Sequence, residues 1–168
     1  MSTSRAPKLR YIKPDDVAQL IRAGPSRRPE YLVIDVRSSD FVGGNLPGAL
    51  NITTREFRDT GATERLIKEH IAPRLPSLRT VILHCMRSQT RGPYAADALL
   101  RSPSLPPDLD VVVLEGGFQG WLRRFRGDKA LFENLDEEGD EWEDVVYAEE
   151  GSRLEAEDSR RLREGGRA

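Results

Sequence analysis

The stretch "VILHCMRSQTRGPYAADALL", Val81 to Leu100, joins an apolar run to a helical pattern through a short polar loop. Thr80 to Leu83 reads as a buried strand, β-branched and apolar with polar residues on either side. From Pro93 onward, Tyr94, Ala95, Ala98 and Leu99 recur at helical spacing, and Pro93 suits a first turn, where its missing N–H costs nothing. The loop "CMRSQTR" between them begins at the only cysteine of the chain, Cys85, and closes on Arg91. A strand that feeds a helix through so tight a loop predicts an α/β layout, with the loop at the carboxyl edge of a mostly parallel sheet.

The flanking sequence alternates in the same way. "RYI" is a short first strand. "KPDDVAQLIRAG" is a helix that starts at Pro14, carries Val17, Leu20 and Ile21 on one face, and ends at Gly24. "YLVIDV" is a continuous apolar run of the kind buried on both faces of a parallel sheet. "GALNI" is a third strand, and "ATERLIKEHIAPRL" is a helix broken at Pro73. After the loop and its helix, "VVVL" and a helix following Gly117 complete the series.

The loop also suggests a chemistry. Amide groups at a helix N-terminus can converge on an anion, and Arg91 adds a planar two-pronged clamp. A free cysteine has a pKa near ~8.5, and such surroundings lower it to ~3.5–7.5, making the thiolate the resting form. Cys85 is therefore the candidate nucleophile and Arg91 the candidate oxyanion clamp. Met86, Arg87, Ser88, Gln89 and Thr90 supply the cradle through their backbone and side chains. Alternation along the strand turns His84 away from the thiol, so it is expected to be a packed histidine that orders the loop.

"HCMRSQTRGP" resembles the His-Cys-five residues-Arg signature of cysteine-based phosphatases. The trailing "RGP" is similar to the branch containing the cell-cycle dual-specificity phosphatases and their small plant and fungal relatives, some of which reduce arsenate. "YLVIDVRSSDFVGGNLPGALNI" and "VVVLEGGFQGW" resemble two further segments of the rhodanese fold, in the expected order. The resemblance covers roughly Arg10 to Arg126. It implies a rhodanese-like, mostly parallel five-stranded sheet flanked by helices. It also implies that Asp35, Arg37 and Asp40 are structural supports, with Arg37 and Asp40 as partners. Gly43, Gly44 and Gly48 are expected in turns, and Phe118 and Trp121 in the core.

The chain departs from that pattern at two points. Asn45 stands where the matching phosphatases have the histidine of a Gly-Gly-His. Met86 to Thr90 offers no carboxyl group where they carry a glutamate proposed as proton donor, and the general acid is left unassigned. The expected activity is hydrolysis of phosphate monoesters, on phosphotyrosine or dual-specificity protein substrates or aryl phosphates, through a cysteinyl-phosphate intermediate. The alternative is arsenate reduction at Cys85. No cofactor is expected, but that alternative would need glutathione or a glutaredoxin as external reductant, because the chain has no second thiol. Sulfur transfer and a non-catalytic phospho-binding module are weaker readings: rhodanese's own loop is one residue shorter, and Cys85 with Arg91 is intact.

The chain has 168 residues and a formal net charge of −2, which favours neither nucleic acid nor membrane as a partner. The expected partner is a phosphorylated protein or a small phosphate or arsenate substrate, with the oligomeric state left open. A single cysteine excludes an internal disulfide, and no metal site is expected. The first residues lack the apolar core of a signal peptide, so a reducing compartment, cytoplasm or nucleus, is expected. The domain reading is an extension over 1–9, a catalytic domain over 10–132, and an acidic, charged tail over 133–168, partly disordered or docked. Glu133 to Glu150 carries ten acidic residues and no Lys or Arg. Trp142, Val145, Val146 and Tyr147 within it are candidates to dock on the body. The acidic segment itself is a candidate to shield the arginines of the cradle and Arg123, Arg124 and Arg126.

Overall fold

The structure, a computed structural model, describes residues 8–24 and 27–135. Five strands, β1 (Arg10–Ile12), β2 (Tyr31–Asp35), β3 (Leu50–Asn51), β4 (Thr80–His84) and β5 (Asp110–Leu114), form one sheet in the order β1-β5-β4-β2-β3. Every pairing between these five strands is parallel, so the sheet goes beyond the mostly parallel expectation. The long central strands β2, β4 and β5 are the uninterrupted apolar runs of the sequence. Each is covered on both faces, so neither face needs polar side chains.

The two faces divide the core by strand alternation. Leu32, Ile34, Val81, Leu83, Val111 and Val113 pack on one side with Ala95, Ala96 and Leu99. Val33, Ile82, Val112 and Leu114 pack on the other with Val17, Phe118 and Trp121. The helices that cover the sheet are α1 (Pro14–Arg22), α2 (Thr60–Leu66), α3 (Arg91–Arg101) and α4 (Gly117–Phe125). Pro14 opens α1 with Asp15 and Asp16 in its first turn, where the helix dipole favours negative charge. Asp59 caps α2 by accepting the Ala62 N–H at 2.8 Å. The expected break at Pro73 is spread out: α2 widens into a π-helical turn over Ile67–Ile71 and tightens into a 3-10 turn over Ala72–Arg74. Pro73 has no N–H to continue an α ladder, and a short 3-10 turn accommodates that.

Two boundaries differ from the sequence reading. Helix α3 begins at Arg91, two residues before Pro93, which places the arginine itself at the first helical position. At the other end, Glu133 pairs with Asn45 in an antiparallel bridge through two 2.9 Å backbone bonds, and its carboxylate accepts the Gly48 N–H at 2.9 Å. Leu135 packs beside the second core cluster. Residues 133–135 thus lie on the body. The remaining expectations for the tail, including docking by Trp142 and shielding of the cradle, fall on 136–168, outside the described residues. Among the described residues, no helix is long and apolar enough to cross a membrane.

Candidate active site

Strand β4 ends at His84, and the next residue, Cys85, is fully buried at the start of the loop. The loop is gripped from outside. The N–H of Phe118 donates to the Cys85 carbonyl at 3.0 Å, and that of Gln119 to the Met86 carbonyl at 2.8 Å. The N-terminus of α4 therefore takes the first two loop carbonyls. On the inner side, the Ser88 N–H points at the Cys85 Sγ at 3.2 Å. Ser88 reaches this position through a left-handed backbone, φ 55°, uncommon for a residue with a side chain. Its hydroxyl is buried and has no hydrogen-bond partner. A buried hydroxyl and an amide aimed at sulfur thus lie side by side on the inner surface of the loop.

Two glycines make the grip possible. A Cβ on Gly117, whose φ is +60°, would lie 2.6 Å from the Met86 carbonyl oxygen and 2.7 Å from that of Cys85. A Cβ on Gly92 would lie 3.3 Å from the His84 Cα and 3.4 Å from the Cys85 nitrogen. Helices α4 and α3 close on the loop this tightly because both carry glycine at the contact.

The other loop residues divide by burial. Gln89 is exposed, Arg87 and Thr90 are half-buried, and Thr90 sits at the N-cap of α3 without a side-chain cap bond. The Met86 side chain is 2 % exposed and belongs to the core cluster around Trp121, so Met86 offers the loop its backbone and not its side chain. Arg91 is fully buried.

The supporting charges pair differently from the expectation. Arg37 does not form a side-chain pair with Asp40. Its Nε and Nη2 bind the Asp35 carboxylate at 2.8–3.0 Å, and its backbone N–H adds a bond at 3.1 Å. Its remaining donors hold the backbone of the following loop: the Gly44 carbonyl at 2.8 Å, that of Asp40 at 3.3 Å and that of Val42 at 3.4 Å. The Phe118 ring covers the guanidinium at 4.1 Å. Asp40, carried past Arg37 by that loop, instead faces Arg91. Its Oδ1 accepts from Nη1 at 2.8 Å and its Oδ2 from Nη2 at 2.7 Å. The reason is local: Asp35, two residues before Arg37, already fills the arginine's fork.

His84 lies beside Asp35, its register partner on β2. Its Nδ1 is 2.9 Å from the Cys85 carbonyl, which can only accept, so Nδ1 carries the proton. Nε2 is 3.7 Å from the Asp35 carboxylate. Burial pushes the His84 pKa down despite the nearby carboxylate, so the ring is neutral near pH 7. Burial disfavours the Asp35 charge as well, yet the carboxyl is held below its ordinary value, and with His84 neutral the Arg37 guanidinium is the charge that holds it there. Among the described residues, no group of three or more His, Cys, Asp or Glu is placed to hold a metal ion.

Comparison with known proteins shows the family of the fold. The rhodanese-like domain, as a sequence family, matches residues 13–124. The dual specificity phosphatase ibp1 of Schizosaccharomyces pombe is 30% identical over 143 residues, covering 74% of this chain and 96% of the relative. The CDC25-like phosphatase YCH1 of Saccharomyces cerevisiae is 29% identical over 136 residues, covering 73% and 88%. Among solved structures, a yeast protein tyrosine phosphatase of the rhodanese family superposes with a TM-score of 0.67 at 26% identity, covering 79% of this chain and 96% of that one.

Proposed function

This chain belongs to the rhodanese-like domain family, and we propose that it is a phosphatase that hydrolyses phosphate monoesters through Cys85. The observation that carries the reading is the cradle itself: a sulfur that accepts an amide N–H at 3.2 Å, beside a buried hydroxyl, in a loop closed by an arginine. The two relatives above, named as phosphatases and matched along most of their length, support it. In the proposed reaction the Cys85 thiolate attacks phosphorus, the P–O bond to the leaving group breaks, and the phosphoryl group passes to sulfur. The loop amides and Arg91 stabilise the equatorial oxygens. Water then attacks phosphorus, the S–P bond breaks, and phosphate leaves with the thiolate restored.

Both carboxylates described beside the loop are held by arginines, Asp35 by Arg37 and Asp40 by Arg91. We assign neither as the proton donor to a leaving oxygen. The site therefore suits leaving groups that depart as stable anions, as in phosphotyrosine and other aryl phosphates. Protein substrates of the dual-specificity kind belong to the same proposal. A lone catalytic thiol needs reducing surroundings, which favours the cytoplasm or nucleus. Arsenate matches phosphate in shape and charge, and its reduction would need an external thiol.

The test gives purified wild-type protein and Cys85→Ser an aryl phosphate in one arm and arsenate with glutathione and glutaredoxin in the other. Wild-type turnover in the first arm, lost in the serine variant, is the expected result. Turnover in the second arm alone would replace the proposal with arsenate reduction.

A further inference from the structure

We propose that Asp40 is the positioning residue of Arg91: its carboxylate fixes the guanidinium in the orientation that clamps a substrate oxyanion. The inference deepens the phosphatase reading and rests on it for the identity of the substrate, though not for the geometry. Asp40 is 3 % exposed and Arg91 fully buried. The pair is end-on and bidentate, with one N–H from each Nη. Bonds to both Nη atoms fix the plane of the guanidinium and direct its Nε edge away from Asp40, the orientation in which that edge can meet an oxyanion.

Asp40 is itself anchored at several points. Its Oδ1 accepts the Ser38 N–H at 3.1 Å, and its carbonyl accepts from the Val42 N–H at 2.9 Å and from Arg37 Nη1 at 3.3 Å. Arg37 is in turn clamped by Asp35 at the end of β2. An alternating chain, Asp35–Arg37–Asp40–Arg91, thus runs from the sheet to the first residue of α3. A buried carboxylate with this anchoring does not give way to substrate easily, because displacing it would strand a charge away from water. It acts as a brace on the arginine.

The experiment compares wild type, Asp40→Asn, Arg91→Lys and the double variant by kcat and KM on an aryl phosphate, and by calorimetric Kd for inorganic phosphate. An asparagine amide can accept only one of the two Nη–H groups and opposes the other with its own N–H. Asp40→Asn is therefore expected to lose about 100-fold in kcat/KM, of the order seen when one oxyanion donor is removed. Phosphate binding should weaken about tenfold. In the Arg91→Lys background the same change should cost less than about threefold, because it acts through the arginine. Tighter phosphate binding in Asp40→Asn would make Asp40 a competitor and overturn the proposal. An equal loss in both backgrounds would make it a plain loop support and overturn it too. If Asp40→Asn does not fold, Asp40→Glu tests the same point with the charge kept and the carboxylate displaced. It is expected to show the same loss, and wild-type kinetics and phosphate Kd in that variant would contradict the brace. If wild type shows no aryl phosphate turnover, the phosphatase reading fails alone and the phosphate Kd series still decides the role of Asp40.

Discussion

His84 holds its single proton on Nδ1 against the Cys85 carbonyl, and that proton ties the stability of the site to pH. Burial lowers the pKa of the ring in the folded protein, whereas in the unfolded chain it returns to about 6.5. Below that value the unfolded state takes up a proton that the folded state refuses. Stability is therefore fully present above about pH 6.5 and falls as the pH drops below it. Asp35, also depressed, adds a loss of the same sign at lower pH, below the ordinary carboxyl range. Urea unfolding at pH 7.5 and 5.5 should show wild type losing on the order of 1 kcal/mol that His84→Asn does not lose. The other histidine of the chain, His70, is present in both proteins and cancels in the comparison. Equal losses in the two would mean that His84 is not the titrating group. At this scale a buried Cys85 at the strand end, Arg91 at the start of the next helix and a packed His84 are legible in one loop, because strand alternation and residue chemistry are local. The pairing of Asp40 with Arg91 is not, because 51 residues separate them and nothing local says which arginine a carboxylate will find. The nearer arginine, Arg37, was the natural guess, and Asp35 had already filled it.

Helix α4 acts on the loop as an element, and Gly117 is the point of contact. With φ at +60° and two loop carbonyls where a Cβ would sit, any side chain there must push the cradle outward. Gly117→Ala combines a left-handed strain with overpacking and should cost about 2–4 kcal/mol of stability. It should also lower kcat/KM at temperatures where the variant is folded, because the Cys85 and Met86 carbonyls must move. Thermal unfolding with wild-type stability would show that α4 does not brace the loop. The sequence reading placed a helix after Gly117 and Phe118 and Trp121 in the core, and both hold. That the helix N-terminus caps the loop carbonyls is a packing fact, set by how α4 lies on the sheet, and no periodicity encodes it. The start of α3 moved for a comparable reason. Gly92 has no side chain to show a pattern, so the apolar periodicity became visible only after Pro93, while the helical backbone begins at Arg91.

Across the whole molecule, the layer order followed from the apolar runs, because strands buried on both faces require helices on both. What composition alone does not show is how residues 133–135 join the body. Glu133 looks like the first residue of an acidic tail, yet its backbone and carboxylate bind Asn45 and Gly48 across a separation of more than 80 residues. That loop also carries Asp40. A truncation after Leu135 should therefore be more stable than one after Phe132, by about 1–2 kcal/mol for the lost hydrogen bonds. Identical melting of the two truncations would mean that the Asn45–Glu133 bridge contributes nothing. On the described body, Arg124 places Nε and Nη2 on the Asp15 carboxylate at 2.6 and 2.7 Å. The central claim, covalent phosphoryl transfer to the one thiol of this molecule, is tested most directly by mass spectrometry of the full chain quenched in denaturant at alkaline pH during aryl phosphate turnover. The account predicts one phosphoryl group on the peptide containing Cys85, absent in Cys85→Ser. Turnover without that adduct, or turnover that survives in the serine variant, would contradict it.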